Sequence, residues 1–169
     1  YVRDAGGTII ARTDNPPDVP GEPGLPVTIT PATTIRYSGG GGISMVLDNT
    51  GALVQRSCSL PGGVTVAQGA DFALSWSYPN LHGDNILQTD ADGVRVGARA
   101  AYDPFGQAIA ADGSIGTLVA DDTVPDTTPG EADHAWVGQH NKLYEHQGST
   151  ATIEMGVRQY VPALGRFLS

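Results

Sequence analysis

A four-residue signal, Asp-x-x-Gly, recurs between short extended runs, at Asp4–Gly7, Asp48–Gly51 and Asp90–Gly93. An Asp side chain can accept hydrogen bonds from backbone N–H groups just ahead of it, and Gly enters the positive-φ conformations that tight reversals need. The signal therefore forces the chain to double back, giving strand, turn, strand. The copies lie about 40 residues apart, with irregular insertions between them. Repetition of one supersecondary unit predicts a sheet that grows by accretion, each hairpin burying its face on its neighbours.

The rest of the chain agrees with a turn-rich β architecture. Gly (23) and Pro (12) make up about a fifth of 169 residues, with no collagen period. With 40% hydrophobic and 16% charged residues the composition is globular. Extended runs are expected at 1–12, interrupted by the first turn, and at Val27–Tyr37, Ile43–Leu47, Ala52–Ser59, Val64–Gln68, Phe72–Tyr78, Ile86–Thr89, Val94–Tyr102 and Ser149–Gln159. Gly39–Gly42 reads as a turn, because no helix pattern or Lys follows to make a phosphate cradle. Segments 15–26, with five prolines, and 120–133, acidic and Pro-bearing, are expected as surface loops. No window longer than ten residues carries a clean helical period. The expected fold is all-β: antiparallel hairpins in one curved sheet over 1–169, with both ends inside extended runs as if cut from a longer polypeptide.

Net charge is -9 and the pI about 4.6, which argues against nucleic acid and anionic membrane as partners. No run approaches the ~18 apolar residues of a membrane-spanning helix. Cys58 is the single cysteine, so no intrachain disulfide forms. Its strand-like setting, without a nearby His, suits a structural thiol.

Candidate chemistry is sparse. His134, His140 and His146 fall six apart, wider than zinc-binding pairs, and no Cys joins them. His140 with Ser149 lacks a nucleophile elbow. Asp90-Ala-Asp-Gly93 begins like a calcium loop, but Ala101 stands where the twelfth-position Glu belongs. The carboxylates Asp121, Asp122, Asp126, Glu131 and Asp133 read as a solvated loop. No catalytic, cofactor-binding or metal-binding residue is expected, and no cofactor.

Five segments carry a family resemblance. They are Tyr1-Val-Arg-Asp-Ala-Gly-Gly-Thr-Ile-Ile-Ala-Arg12, Tyr78–Asp84 followed by Thr89–Gly93, Tyr102-Asp-Pro-Phe-Gly106, Trp136-Val-Gly-Gln-His140, and Arg158-Gln-Tyr160 through Gly165-Arg-Phe-Leu168. In this order they resemble the RHS/YD-repeat family, specifically its C-terminal core region. Leu60–Gly63 and Lys142–His146 are most like actinobacterial members. The resemblance implies a cocoon-like shell in which a spiralling β-sheet encloses a C-terminal toxin segment, as in polymorphic toxins and toxin-complex subunits. The implied setting is a bacterial protein that is secreted or associated with the cell envelope.

The resemblance also implies where chemistry belongs. Family self-cleavage resembles aspartic-protease chemistry, using Asp-Pro motifs downstream of the Gly-Arg-Phe-Leu segment, beyond Ser169. Asp103-Pro-Phe-Gly106 occupies the upstream turn and is read as structural. The residues expected to matter are Tyr102, Asp103, Pro104 and Gly106 in that turn, and Tyr160, Gly165, Arg166 and Phe167 in the closing segment. Arg166 is expected to pair with a carboxylate inside the shell. The implied partners are the remainder of the shell and the enclosed toxin, with self-association through open strand edges as a further expectation. Two other readings stay open: a surface adhesin or glycan-binding module using Trp76, Tyr78 and Trp136 on one sheet face, and the non-catalytic part of a self-cleaving protease.

Overall fold

The computed structural model describes residues 2–5, 9–14, 33–40, 43–115, 123–130, 132–147 and 150–168. One turn recurs seven times among them, starting at Asp48, Leu60, Gly69, Asn80, Asp90, Asp103 and Ala110. Each time the first residue's N–H donates to the carbonyl four positions on, and the fourth residue's N–H donates back to the first carbonyl. The fourth residue always has positive φ: Gly51, Gly63, Phe72, Gly83, Gly93, Gly106 and Gly113. This is a tight turn closed by a bulge residue in the left-handed region. The side chains of Asp48, Asn80, Asp90 and Asp103 accept from the N–H groups two and four residues on. The structural period is therefore about ten residues, shorter than the spacing of Asp-x-x-Gly, because Leu, Gly, Asn and Ala also start the turn.

The chain is all-β and antiparallel. The first sheet runs in chain order through β1 (Val2–Arg3), β2 (Ile9–Asp14), β3 (Thr33–Gly40), β4 (Ile43–Leu47), β5 (Leu53–Ser59), β6 (Thr65–Gly69), β7 (Leu74–Pro79), β8 (Asn85–Asp90) and β9 (Arg95–Val96). The second runs through β10 (Ala132–His134), β11 (Leu143–Gln147), β12 (Thr150–Met155), β13 (Arg158–Val161) and β14 (Arg166–Phe167). No helix among the described residues is long and apolar enough to cross a membrane.

Several boundaries differ from expectation. Gly39 and Gly40 extend β3, pairing with Ser44 and Ile43. Phe72 opens no strand; it is the turn's left-handed residue and is 77% exposed. The run expected over Val94–Tyr102 pairs as a strand only at Arg95–Val96, and Tyr102 instead bridges to Ala108. Segment 120–133, expected as a surface loop, is mixed where it is described: Asp126 and Gly130 are exposed, while Val124, Pro125, Thr127, Thr128, Ala132 and Asp133 are buried. The Asp133 carboxylate accepts from the N–H groups of Thr127 and Thr128, so the acidic residue closes its own loop inward. Segment 15–26 lies outside the described residues.

The first sheet must curl. Ala132 packs with Ile9 and Leu143, against which Tyr37 also lies, while the His134 carbonyl accepts from Asn85 Nδ2 at 2.7 Å. A flat sheet would separate β3 from β8 by about 24 Å, whereas two residues of β10 span about 7 Å. The second sheet fills the concavity. Tyr144, Ile153 and Tyr160 share one of its faces and pack with Ala108, Ala110, Val124, Ala135 and Trp136.

Its other face carries Glu145 and Glu154 toward the first sheet. Arg3 pairs with Glu154 at 3.0 Å and also donates to the Gly156 carbonyl. Arg12 Nε lies 3.4 Å from Glu145, with Arg12 3% and Glu145 6% exposed. Burial, reinforced by the nearby Glu154 charge, pushes the Glu145 carboxyl up to about 7. A folded-state value above the unfolded one means the folded chain keeps a proton that the unfolded chain has lost. This contribution is complete below about pH 4.5 and is lost as pH rises through about 7. We predict that urea unfolding midpoints fall between pH 5 and 7.5, by at most about 3 kcal/mol in stability. Glu145→Gln should flatten that slope; an unchanged slope would remove Glu145 as its source.

Candidate functional site

The two groups of residues singled out in the sequence meet at one place. The Asp103–Gly106 turn sits against the closing strands, with Trp136 between them. Asp103 Oδ1 accepts from the N–H groups of Phe105 (2.9 Å) and Gln107 (2.8 Å), and Oδ2 accepts from Gln107 Nε2 (2.9 Å). Both oxygens thus hold the turn together. Pro104 is exposed, and Gly106 is buried at φ 92. A Cβ on Gly106 would stand 2.7 Å from Trp136 Cδ2, so the indole rests on bare backbone.

From Trp136 the aromatic contacts continue outward. Its ring stacks on Tyr160 at 5.9 Å, and Tyr160 meets Phe167, its cross-strand partner, at 5.5 Å. The Arg158 guanidinium lies 4.4 Å over the Phe167 ring. Gly165 takes φ 59 to end the Pro162–Leu164 turn and lies beside Phe105. Burial and then the charge of Asp103 raise the Tyr160 phenol. The Tyr102 hydroxyl donates to the Asn85 carbonyl at 3.1 Å. Burial, followed by Tyr144, Asp84 and Asp133, holds that phenol well above its usual range.

On the far side of Trp136 lies His82, ring to ring at 5.7 Å. His82 Nδ1 is 2.8 Å from Asp84 Oδ1. Buried Asp84 also accepts from Asn80 Nδ2 (2.8 Å) and from the Val137 N–H (3.0 Å). Val137 has φ 49, unfavourable for a β-branched residue, and Asp84 fixes its amide there. The Gly83 carbonyl accepts from the Gln139 N–H at 2.9 Å. The β7–β8 turn is thereby locked to segment 134–139.

Other candidates separate. Arg166 is exposed and forms no ion pair among the described residues; Arg3 and Arg12 supply guanidinium–carboxylate contacts there. His134 and His140 do not converge. His134 is drawn inward, where burial lowers its imidazole pKa, His140 is exposed beside Gly83, and the His146 side chain lies outside the described residues. No metal-suited cluster of His, Cys, Asp or Glu occurs among the described residues. Asp90 Oδ1 caps its own turn, and Asp121, Asp122, Glu131 and Ser149 lie outside the described set. Cys58 is half-buried. The glycan-platform residues divide as well: Trp76 and Tyr78 share one face of β7, whereas Trp136 belongs to the junction. Sequence reasoning missed His82, Asp84, Asn85 and Arg158 as junction residues, since only the fold brings them to Trp136, Val137, His134 and Phe167 respectively.

No protein-family model matches the chain, and no curated protein matches it. Among solved structures, the crystal structure of TcdB2-TccC3-TEV is similar to it with a TM-score of 0.56 at 18% identity. The similarity covers 100% of this chain and 7% of that one. At this identity the likeness concerns the fold: the whole β path here matches a small part of a much longer chain.

The junction makes a graded prediction. Gly93 has φ 78 with open space around it, so Gly93→Ala should cost about 1 kcal/mol from backbone strain alone. Gly106→Ala adds the collision with Trp136 and should cost about 3 kcal/mol or more, with loss of near-ultraviolet dichroism. Equal costs in urea titrations would mean that the indole contact contributes nothing.

Proposed function

We propose that this chain is a wall segment of an RHS-type shell whose interior holds a C-terminal toxin segment. The observation that carries the reading is the growth of each sheet strictly in chain order, one turn about every ten residues. A sheet built this way extends without any crossover and can wrap around a volume as it lengthens. Support comes also from the backbone likeness to TcdB2-TccC3-TEV along the full chain. We read that neighbour as one of the toxin-complex subunits to which the repeat resemblance points. In this proposal the segment contributes no catalytic group, and its parent protein is secreted or envelope-associated in a bacterium. The aromatic junction is a structural lock, pinning the second sheet to the first through Trp136, Asp84 and the closing hairpin.

The test uses the parent polypeptide. Limited proteolysis followed by size exclusion and intact mass should give a protected C-terminal piece that co-elutes with the shell. A C-terminal region digested as readily as free peptide would overturn the proposal. Trp136→Ala in the same polypeptide should make that piece protease-sensitive at concentrations where the unaltered protein protects it.

A further inference from the structure

A cleft of about 320 Å³ opens between the first sheet and the segment that crosses it. One wall is the inward side of β5–β7, with Gln55, Ala67 and Ser75, together with Gly69 and Ala73 of the turn joining β6 to β7; the other wall is 126–129. Both walls are fixed in advance. Gln55 Nε2 donates to the Thr127 carbonyl and Gln88 Nε2 to the Asp126 carbonyl, each at 2.8 Å, and Asp133 holds the N–H groups of Thr127 and Thr128. The volume is at the lower end of what holds a ligand, and it suits one long side chain.

The turn beside this cleft is the exception among the seven. Phe72 stands at φ 67 where the others have Gly, and its ring is exposed. A side chain in the left-handed region costs conformational energy, and an exposed ring recovers none of it through burial. Folding alone therefore favours Gly here. Ala73, next in the chain, and Gly69, whose carbonyl accepts from the Phe72 N–H, both line the cleft. The local charge is negative. Asp126 is exposed on the lining, and the Asp71 carboxylate, which accepts from the Ala73 N–H at 3.0 Å, lies against Gly69. No Lys or Arg lines the cleft among the described residues, and Arg56 is held by Gln68 on the opposite face of the sheet. Small apolar walls take an alkyl stem, carboxylates at the rim hold a cationic head, and an aromatic face close by attracts the same charge. We infer that the cleft is a docking site for an extended peptide segment bearing lysine, whose ammonium meets Asp126 and Asp71. Such docking is independent of what the shell encloses.

The experiment titrates the full chain into a dye-labelled peptide of alternating lysine and alanine, following anisotropy, with the glutamate–alanine peptide and free butylamine as comparison probes. The lysine peptide should bind, more weakly as salt rises, and the glutamate peptide should not. Asp126→Asn should weaken binding about tenfold through the lost charge contact. Phe72→Gly should raise the urea midpoint, because the strained φ is relieved, and yet weaken binding about fivefold through loss of the ring. Asp92→Asn removes an exposed carboxylate from the β8–β9 turn and should leave binding unchanged. Asp126 and Phe72 are both exposed, so their variants keep the fold and report on binding. No binding of the lysine peptide, full affinity in Phe72→Gly, or an equal loss in Asp92→Asn would overturn the inference. Butylamine displacing the peptide at equal concentration would mean a site for free amines and would overturn it as well.

Discussion

The left-handed residue at the fourth position of each turn is the constraint on which the first sheet depends. The turn needs positive φ there, and six of its seven occurrences use Gly. Phe72 is the exception, and its ring projects into solvent at 77% exposure. Each such bulge fixes the register of the strands it joins and adds local twist. Twist accumulated over successive hairpins rotates β8 back toward β2 and β3, so the curl follows from the turns. The second sheet then has a concave surface to occupy, across which residues 126–128 and 132–134 bond.

What fills that concavity is unusually polar. The inward face of β5–β8 carries Gln55, Ser57, Ser75, Ser77 and Gln88 beside the small Ala67, while Val66, Leu74, Trp76, Tyr78 and Leu87 lie on the outward side. A polar interior is stable only where its groups are paired. Gln55 and Gln88 donate to the carbonyls of Thr127 and Asp126, and Ser44 and Ser57 meet at 2.5 Å. Arg3, hydrogen-bonded to Glu154, extends the same principle to charge. Such bonds are directional, so they dictate which part of the second layer sits over which strand. Apolar contact alone would allow it to slide.

Much of this was legible from local chemistry. The alternation of Leu74, Trp76 and Tyr78 identifies β7, and the Asp103–Gly106 turn and the Tyr160–Phe167 hairpin form where their residue types require. Three things were not legible. The turns at Gly69 and Ala110 begin with neither Asp nor Asn, so the ten-residue period is hidden in the sequence. The choice of face on β7 runs against hydrophobic patterning, because serines face inward and aromatics outward. Burial of Thr127 and Thr128 follows from carboxylate capping by Asp133, a consequence that an acidic, Pro-bearing string does not advertise.

The aromatic junction explains why its parts lie far apart in the chain. Gly106 supplies bare backbone, Trp136 a broad plate, Tyr160 and Phe167 the stacked continuation, and Asp84 the anchor that fixes Val137 beside Trp136. None of these pairs is strong singly; aromatic pairs add about 0.5–1.5 kcal/mol beyond their burial. Joined in series, they tie the β7–β8 turn, the 102–108 hairpin and the terminal strands into one unit. The outermost strand of the second sheet, β14, is two residues long and has few backbone bonds of its own. Its position depends on Phe167 between Tyr160 and Arg158, so the end of the sheet is held by side chains more than by its ladder.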